Sequence, residues 1–356
     1  MGQFGLVRAL LQCASCRFSA LYFIPFSGGL AAAGRSDAGD ALLAAGFWLL
    51  LTLGIELTNR LTDRVEDAVN RPERTALCQQ IGWERLRRIQ ALLWLAVAAS
   101  AAVWLARLPS TMLAALIALG VCAGIGYSRG PRLARRRALV FVVLSGAFVG
   151  PFALGWAAGS PSAAATDWRE LGRFVPLFWV MTLFVSSLAG IKDITDREGD
   201  ERIGYRSAFM EFAERHGALA LIAVVAAPFV ALAGFAAGGA LPVRALALVA
   251  FLPVSIVVAL AVRGAAAAAS RLTVREALYH HWLAFTSAAL LVCYPSAFLL
   301  ATVLGGWLFW IFASRHLHWA PALRAADLPT IVRLARVGSV RAPVAPLREG
   351  RAWGTS

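Results

Sequence analysis

The sequence predicts an all-α integral membrane protein whose chain crosses the bilayer about nine times. Three observations carry this expectation. Hydrophobic residues fill 59% of the 356 positions and charged residues only 15%, where a soluble domain carries about a quarter charged. The apolar residues come in long blocks rather than short alternations, and arginines gather between alternate blocks. The net charge of +14 is almost wholly arginine, since Lys192 is the only lysine. In a soluble protein that balance would suggest nucleic-acid binding. Arginines placed between apolar spans instead suit anionic headgroups, so the expected partner is the lipid bilayer and no nucleic acid.

A span needs roughly 20 apolar residues at about 1.5 Å rise each. In chain order the candidates are 16–33, 41–60, 88–106, 110–127, 138–159, 173–192, 216–239, 243–263 and 280–312. The first block ends in Ala31-Ala32-Ala33, a loose likeness to a cleavable signal peptide. Its distance from Met1 favours a retained helix. Pro25, Pro151, Pro176, Pro253 and Pro295 are the expected kinks, and Gly146-x-x-x-Gly150 suits close helix packing. Cys13-x-x-Cys16 lacks the second pair of a zinc site and reads as incidental. Cys122 and Cys293, inside apolar runs, read as core thiols.

Charge orients the bundle. The loop after the second span holds Arg64, Arg71, Arg74, Arg85, Arg87 and Arg88, and the loop after the fourth holds Arg129, Arg132, Arg135, Arg136 and Arg137. Lys192, Arg197, Arg202, Arg206 and Arg215 follow the sixth span, and Arg263, Arg271 and Arg275 the eighth. The intervening loops carry few positive charges. The even loops and the N-terminal segment 1–15 are therefore expected on the cytoplasmic side of a cell membrane. The tail 313–356 conflicts with an odd number of spans, because it holds Arg315, Arg324, Arg333, Arg336, Arg341, Arg348 and Arg351. Pro295 and Gly305-Gly306 mark where the last stretch could fold back and return that tail to the cytoplasm. From about Ala320 the tail mixes Pro, Ala, Gly and Arg and is expected to be loosely ordered.

Two polar clusters carry chemistry. At the end of the second span Asn59, Asp63 and Asp67 recur every four residues, and at the end of the sixth Asp196 and Asp200 repeat that spacing, with Asp193 a turn before Asp196. On a helix this spacing stacks the groups on one face. Carboxylates facing each other across a bundle repel unless a cation lies between them. Mg²⁺ fits, because it binds through one or two carboxylates and fills its remaining positions with water and substrate phosphate oxygens. Arg64, Arg71, Arg74, Lys192 and Arg197 stand near enough in sequence to neutralise the rest of a diphosphate. Surface i, i+4 pairing, worth only a few tenths of a kcal/mol, does not account for the repeat at both sites. The four-span offset between the clusters suggests an internal duplication.

The first cluster, continued by Asn70-Arg71-Pro72-x-Arg74, resembles the first signature of the UbiA superfamily of intramembrane prenyltransferases. Lys192-Asp193-Ile194-x-Asp196-x-Glu198-Gly199-Asp200, followed by Gly204, resembles the second, and Tyr127-Ser128-x-x-Pro131-x-Leu133 resembles the segment after the family's fourth helix. The resemblance implies a ring of nine transmembrane helices around a central cavity, formed by residues 16–312. It implies that Asn59, Asp63 and Asp67 hold one Mg²⁺ and that Asp196 and Asp200 hold another, with Asp193 and Lys192 at less universal positions. Asp63, Asp67, Asp196 and Asp200 are then the catalytic carboxylates. Arg71 and Arg74 match basic positions near the diphosphate, and Arg129 and Arg132 are candidates for gripping diphosphate or an acidic group of the acceptor. The stretch Arg74-Thr75-Ala76-Leu77-Cys78 departs from a second Pro and a Ser-Gly turn of many relatives. That points away from the quinone, chlorophyll and haem branches and toward secondary metabolism.

The implied reaction moves a prenyl group from an allylic isoprenoid diphosphate to a small, aromatic acceptor, with release of diphosphate. Trp48, Phe148, Trp156, Phe178, Trp179 and Phe184 lie within spans and could shield a cation, although lipid-facing or interfacial packing is the expected role of each. His280 and His281 are expected in the solvated interface. The alternatives are a terpene cyclase of the same fold, a transfer to phosphoribose, and a transporter or lipid-binding membrane protein. Transporter acids usually stand near mid-membrane, whereas these stand at span ends.

Overall fold

The computed structural model describes residues 3–130, 132, 139–160, 168–205 and 208–340. Pro131, Leu133, Arg135 to Arg137, Arg206 and the tail from 341 onward lie outside the described residues. The described residues are helical throughout, with no strand. The helices are α1 (Gln3–Cys13), α2 (Ser19–Ala32), α3 (Ala38–Thr62), α4 (Arg64–Asn70), α5 (Pro72–Ile81), α6 (Trp83–Arg107) and α7 (Thr111–Ser128). They continue with α8 (Leu139–Gly159), α9 (Val175–Arg202), α10 (Ala208–Ala237), α11 (Leu252–Gly264), α12 (Ala268–Cys293), α13 (Ala297–His316) and α14 (Leu328–Val340).

Seven of the described helices are long and apolar enough to cross a bilayer, and Gly5–Cys13 with Cys16–Ala32, bent by 58°, forms an eighth candidate. This is a multi-pass membrane protein. The expected spans reappear as α2, α3 and α6 to α11, but α9 runs ten residues past its expected end, α10 starts eight residues early, and the first half of the span 243–263 is a 3₁₀ helix, Val243–Phe251, that leads into α11; the last span differs more. The stretch 280–312 is two helices, α12 and α13, separated at Tyr294-Pro295-Ser296. Proline ends the first, and the Ser296 hydroxyl then caps the second by accepting from Leu299 N at 3.1 Å. Asp37 and Ser110 start α3 and α7 in the same way. Of α12 and α13, α13 is among the helices long and apolar enough to cross a bilayer, and the chain after it reaches the end of the bundle where α3 and α9 end, with Trp319 beside Arg74 and Arg275.

Of the expected kinks, Pro25 and Pro151 lie inside α2 and α8. Pro176 and Pro253 lie in the first turns of α9 and α11, where a missing N–H costs no helical hydrogen bond. Gly146 and Gly150 face open space, so the close crossing is made elsewhere. A methyl group on Gly29 would strike the Phe152 carbonyl, and one on Gly155 the Phe26 carbonyl, so α2 and α8 meet backbone to backbone. Cys122 is exposed on the outer face rather than in the core.

The interior is filled with aromatic rings. Phe184 stacks on Phe285 at 3.7 Å between centroids, edged by Phe229 and Phe251. Trp48 and Trp156 are buried too, and Trp179, 54% exposed, takes the expected outward position; the Phe148 side chain lies outside the described residues. His281 is buried and pairs with the Ser255 hydroxyl at 2.7 Å, and His280 meets the Glu276 carbonyl and Trp310. Neither histidine stands free in the interface, because each has a polar partner one helix away. A small apolar cavity remains between α2, α8, α9 and α12, lined by Pro25, Phe152, Phe178 and Leu290 among others.

Part of the tail expected to be loose is α14. Its Ile331, Ala335 and Gly338 are buried, and it lies along α11 with Gly338 against Leu260 and Gly264 against Leu334. An i, i+4 apolar stripe within an arginine-rich stretch makes this an amphipathic helix. Gly155→Leu is expected to force α2 from α8 and cost about 1–3 kcal/mol of stability. The check is the thermal unfolding midpoint of the detergent-solubilised protein.

Candidate active site

The first acidic cluster does not lie on one straight helix. At Asp63 the backbone leaves the helical region (φ −101°, ψ 35°), ending α3 and starting α4. The i→i−4 bonds from Asp63 N to Asn59 O, Asp67 N to Asp63 O and Arg71 N to Asp67 O persist at 2.8–2.9 Å. The chain therefore bends without unravelling, and α4 swings against α9. The second cluster stays on a single helix, with Asp193, Asp196 and Asp200 all on α9.

Asn70 joins the two. Its Nδ2 donates to the Asp196 carbonyl at 2.8 Å, and its Oδ1 accepts from Gly199 N at 2.9 Å. Gly199 is required for this approach, since a Cβ there would overlap the Asn70 amide and the Glu66 carbonyl. Arg71 makes the charged link. One arm reaches Asp67 Oδ1 at 2.8 Å and the other Asp196 Oδ2 at 2.7 Å. Burial opposes its charge, but the Asp196 and Asp67 carboxylates outweigh that and hold its pKa above the ordinary guanidinium value.

Both carboxylates are buried, Asp67 at 4% and Asp196 at 5% exposure, and both are heavily paired. Asp67 also meets Arg74 at 2.7 Å and Arg60 at 3.0 Å. Asp196 also meets Arg275 of α12 at 2.8 Å and Lys192 at 3.2 Å. Five cationic side chains thus converge on two carboxylates among the described residues. Asn59, 8% exposed, accepts a short hydrogen bond from the Ser128 hydroxyl. Asp63 and Asp200 are half-buried at the helix ends, and Asp193 lies 3.6 Å from Lys192. Arg129 and Arg132 are exposed after α7.

Sequence reasoning missed Asn70 as a bridge, and Arg60 and Arg275 as ligands of the two carboxylates. Arg275 stands beside Glu276 inside an otherwise largely apolar helix, and that buried charged pair is the signal that could have singled it out. Tyr22 and Tyr279 were also missed, and they join Tyr127, which the sequence had marked only as part of a family segment. The three lie on α2, α7 and α12, within electrostatic reach of one another, and Lys192 is within reach of Tyr127 and Tyr279.

Amide and carboxylate oxygens are the hard donors that Mg²⁺ takes, and here they stand at two helix ends held against each other. The donor chemistry fits the ion. Among the described residues no three acidic, histidine or cysteine side chains converge as a ready cage, because Asp67 and Asp196 are turned to their guanidinium partners.

The chain matches the UbiA prenyltransferase family over residues 21–274. It belongs to that family. The fold agrees: a digeranylgeranylglyceryl phosphate synthase structure aligns with TM-score 0.52 at 15% identity, over 86% of this chain and 99% of that one. A UbiA homologue from Archaeoglobus fulgidus, bound to GPP and Mg²⁺, aligns with TM-score 0.51 at 14% identity, over 85% and 97%. No curated protein sequence matches the chain.

Removing Arg71 would leave each carboxylate with two other cations, so the cost falls below that of a fully orphaned buried charge. Arg71→Met is expected to destabilise by about 1–3 kcal/mol, read from the unfolding midpoint.

Proposed function

We propose that this UbiA-family chain is an Mg²⁺-dependent prenyltransferase that moves a prenyl group from an allylic isoprenoid diphosphate to a small, aromatic acceptor and releases diphosphate. The observation that supports it is the Arg71 bridge, which gathers five cations and the two acidic motifs at one end of an apolar bundle. Such a place receives a polyanion with a long apolar tail.

Asn59, Asp63 and Asp67 on one side, and Asp193, Asp196 and Asp200 on the other, would hold Mg²⁺, which stabilises negative charge building on the diphosphate. The chain's own groups do the rest. Arg71, Arg74 and Lys192 bind the phosphate oxygens with charge-assisted hydrogen bonds and stabilise the leaving group as the allylic C–O bond breaks. Arg129 and Arg132, at the rim after α7, are placed to meet an incoming anionic group. The aromatic packing below the motifs keeps water from the allylic cation. An electron-rich acceptor carbon forms the new C–C bond, and loss of its proton restores the ring. The motif face is assigned to the cytoplasm by its arginines, and the departure after Arg74 assigns the reaction to secondary metabolism.

The test supplies membranes containing the chain with geranyl, farnesyl or geranylgeranyl diphosphate and Mg²⁺, with and without hydroxylated aromatic acids. Prenylated acceptor is expected, falling at least about 100-fold, or about 2.7 kcal/mol of transition-state stabilisation, in both Asp63→Ala and Asp196→Ala. A cyclic product without acceptor would reassign the chain as a terpene cyclase. No diphosphate release from wild type would end the catalytic reading.

A further inference from the structure

The segment after α13 lies beyond the family match, which ends at 274, yet it returns to the motif face. His318 is buried, 3.6 Å from Glu276, and Glu276 is itself held by Arg17 at 2.5 Å. Ser314 receives a second Arg17 bond at 3.1 Å. Burial pushes the His318 pKa down to about 4, so it packs there as a neutral ring. The buried ring leads the chain directly into Trp319. Behind it, α14 ties the strand of chain to α11.

The Trp319 ring centre lies 5.3 Å from the Arg74 guanidinium carbon and 5.6 Å from that of Arg275. Those two arginines come from different motif neighbourhoods. Arg74 holds Asp67 and Arg275 holds Asp196. One indole therefore touches both cations that flank the Arg71 bridge. Like charges side by side repel, and a ring quadrupole between them offsets that repulsion, more strongly where water is scarce. The Arg74 Nε is buried with no hydrogen-bond partner among the described residues. Buried donors are almost always satisfied, and an oxyanion would satisfy this one.

We propose that Trp319 is a positioning residue of the diphosphate site, its indole ring setting Arg74 and Arg275 at the places where they receive the diphosphate. The inference rests on the prenyltransferase reading, and it assigns the C-terminal segment to the site rather than to a dispensable tail. Arg74 and Arg275 make the contacts, and Trp319 acts through them.

The experiment uses the full chain in detergent or nanodiscs. It measures kcat and KM for the isoprenoid diphosphate, and Kd for inorganic diphosphate, in wild type, Trp319→Phe and Trp319→Leu. The leucine variant is expected to raise KM and Kd about tenfold, with the phenylalanine variant within about threefold because it keeps a ring face. A leucine variant equal to wild type overturns the proposal. So does a phenylalanine variant as impaired as leucine, which would make the indole N–H a direct contact. A ring-fluorinated tryptophan placed at 319 repeats the comparison without changing packing. KM rising with fluorination supports the proposal, and a flat response overturns it. If wild type neither turns over nor binds diphosphate, the prenyltransferase reading has failed. If it does both while the leucine and fluorinated forms match it, only the role of Trp319 has failed.

Discussion

Two carboxylates buried at the end of an apolar bundle repel one another and have lost their water. Arg71 resolves both problems at once by placing one guanidinium arm on Asp67 and the other on Asp196. A buried charge removed from its partner costs several kcal/mol, so this bridge constrains everything around it. α4 must turn at Asp63 to bring Arg71 across, and α9 must carry Gly199 so that Asn70 can close the gap. α12 must place Arg275, two turns in from its start, at the same depth, to balance the second carboxylate. The two motifs, more than a hundred residues apart, are one electrostatic unit.

That unit explains the shape of the C-terminal third. A second layer, Arg17 with Glu276, lies just behind the first and is nearly as dry, at 1% and 2% exposure. Arg17 also packs against Trp310 at 4.7 Å, so the end of α13 is part of the support. After α13 the chain comes back to the motif face, where Trp319 lies over Arg74 and Arg275.

Much of this was legible in the sequence. Block length and composition gave the helices and most of their limits, and the i, i+4 acids marked both ends of the site. The missed features are those where a single residue type has two readings. Pro295 inside a long apolar run reads as a kink or as a break, and only the capping serine after it separates them. Gly146 and Gly150 carry the small-residue spacing, yet Gly29 and Gly155 make the contact, because spacing does not say which face meets a neighbour. Arg275 and Trp319 were hidden because their partners lie far along the chain, and Arg60 because the bend at Asp63 is what brings Asp67 back to it. The bend at Asp63 was hidden because a four-residue repeat looks the same on one helix as on two joined without loss of hydrogen bonds.

The central claim is that the two motifs act as one site through Arg71. A double-mutant cycle on the affinity for inorganic diphosphate tests it directly, using Arg71→Met, Asp196→Asn and the two combined. The unitary site predicts a coupling energy of at least about 1.5 kcal/mol, as found for groups sharing one charged network. Strict additivity, within about 0.3–0.5 kcal/mol, would mean that the motifs bind independently and would contradict it.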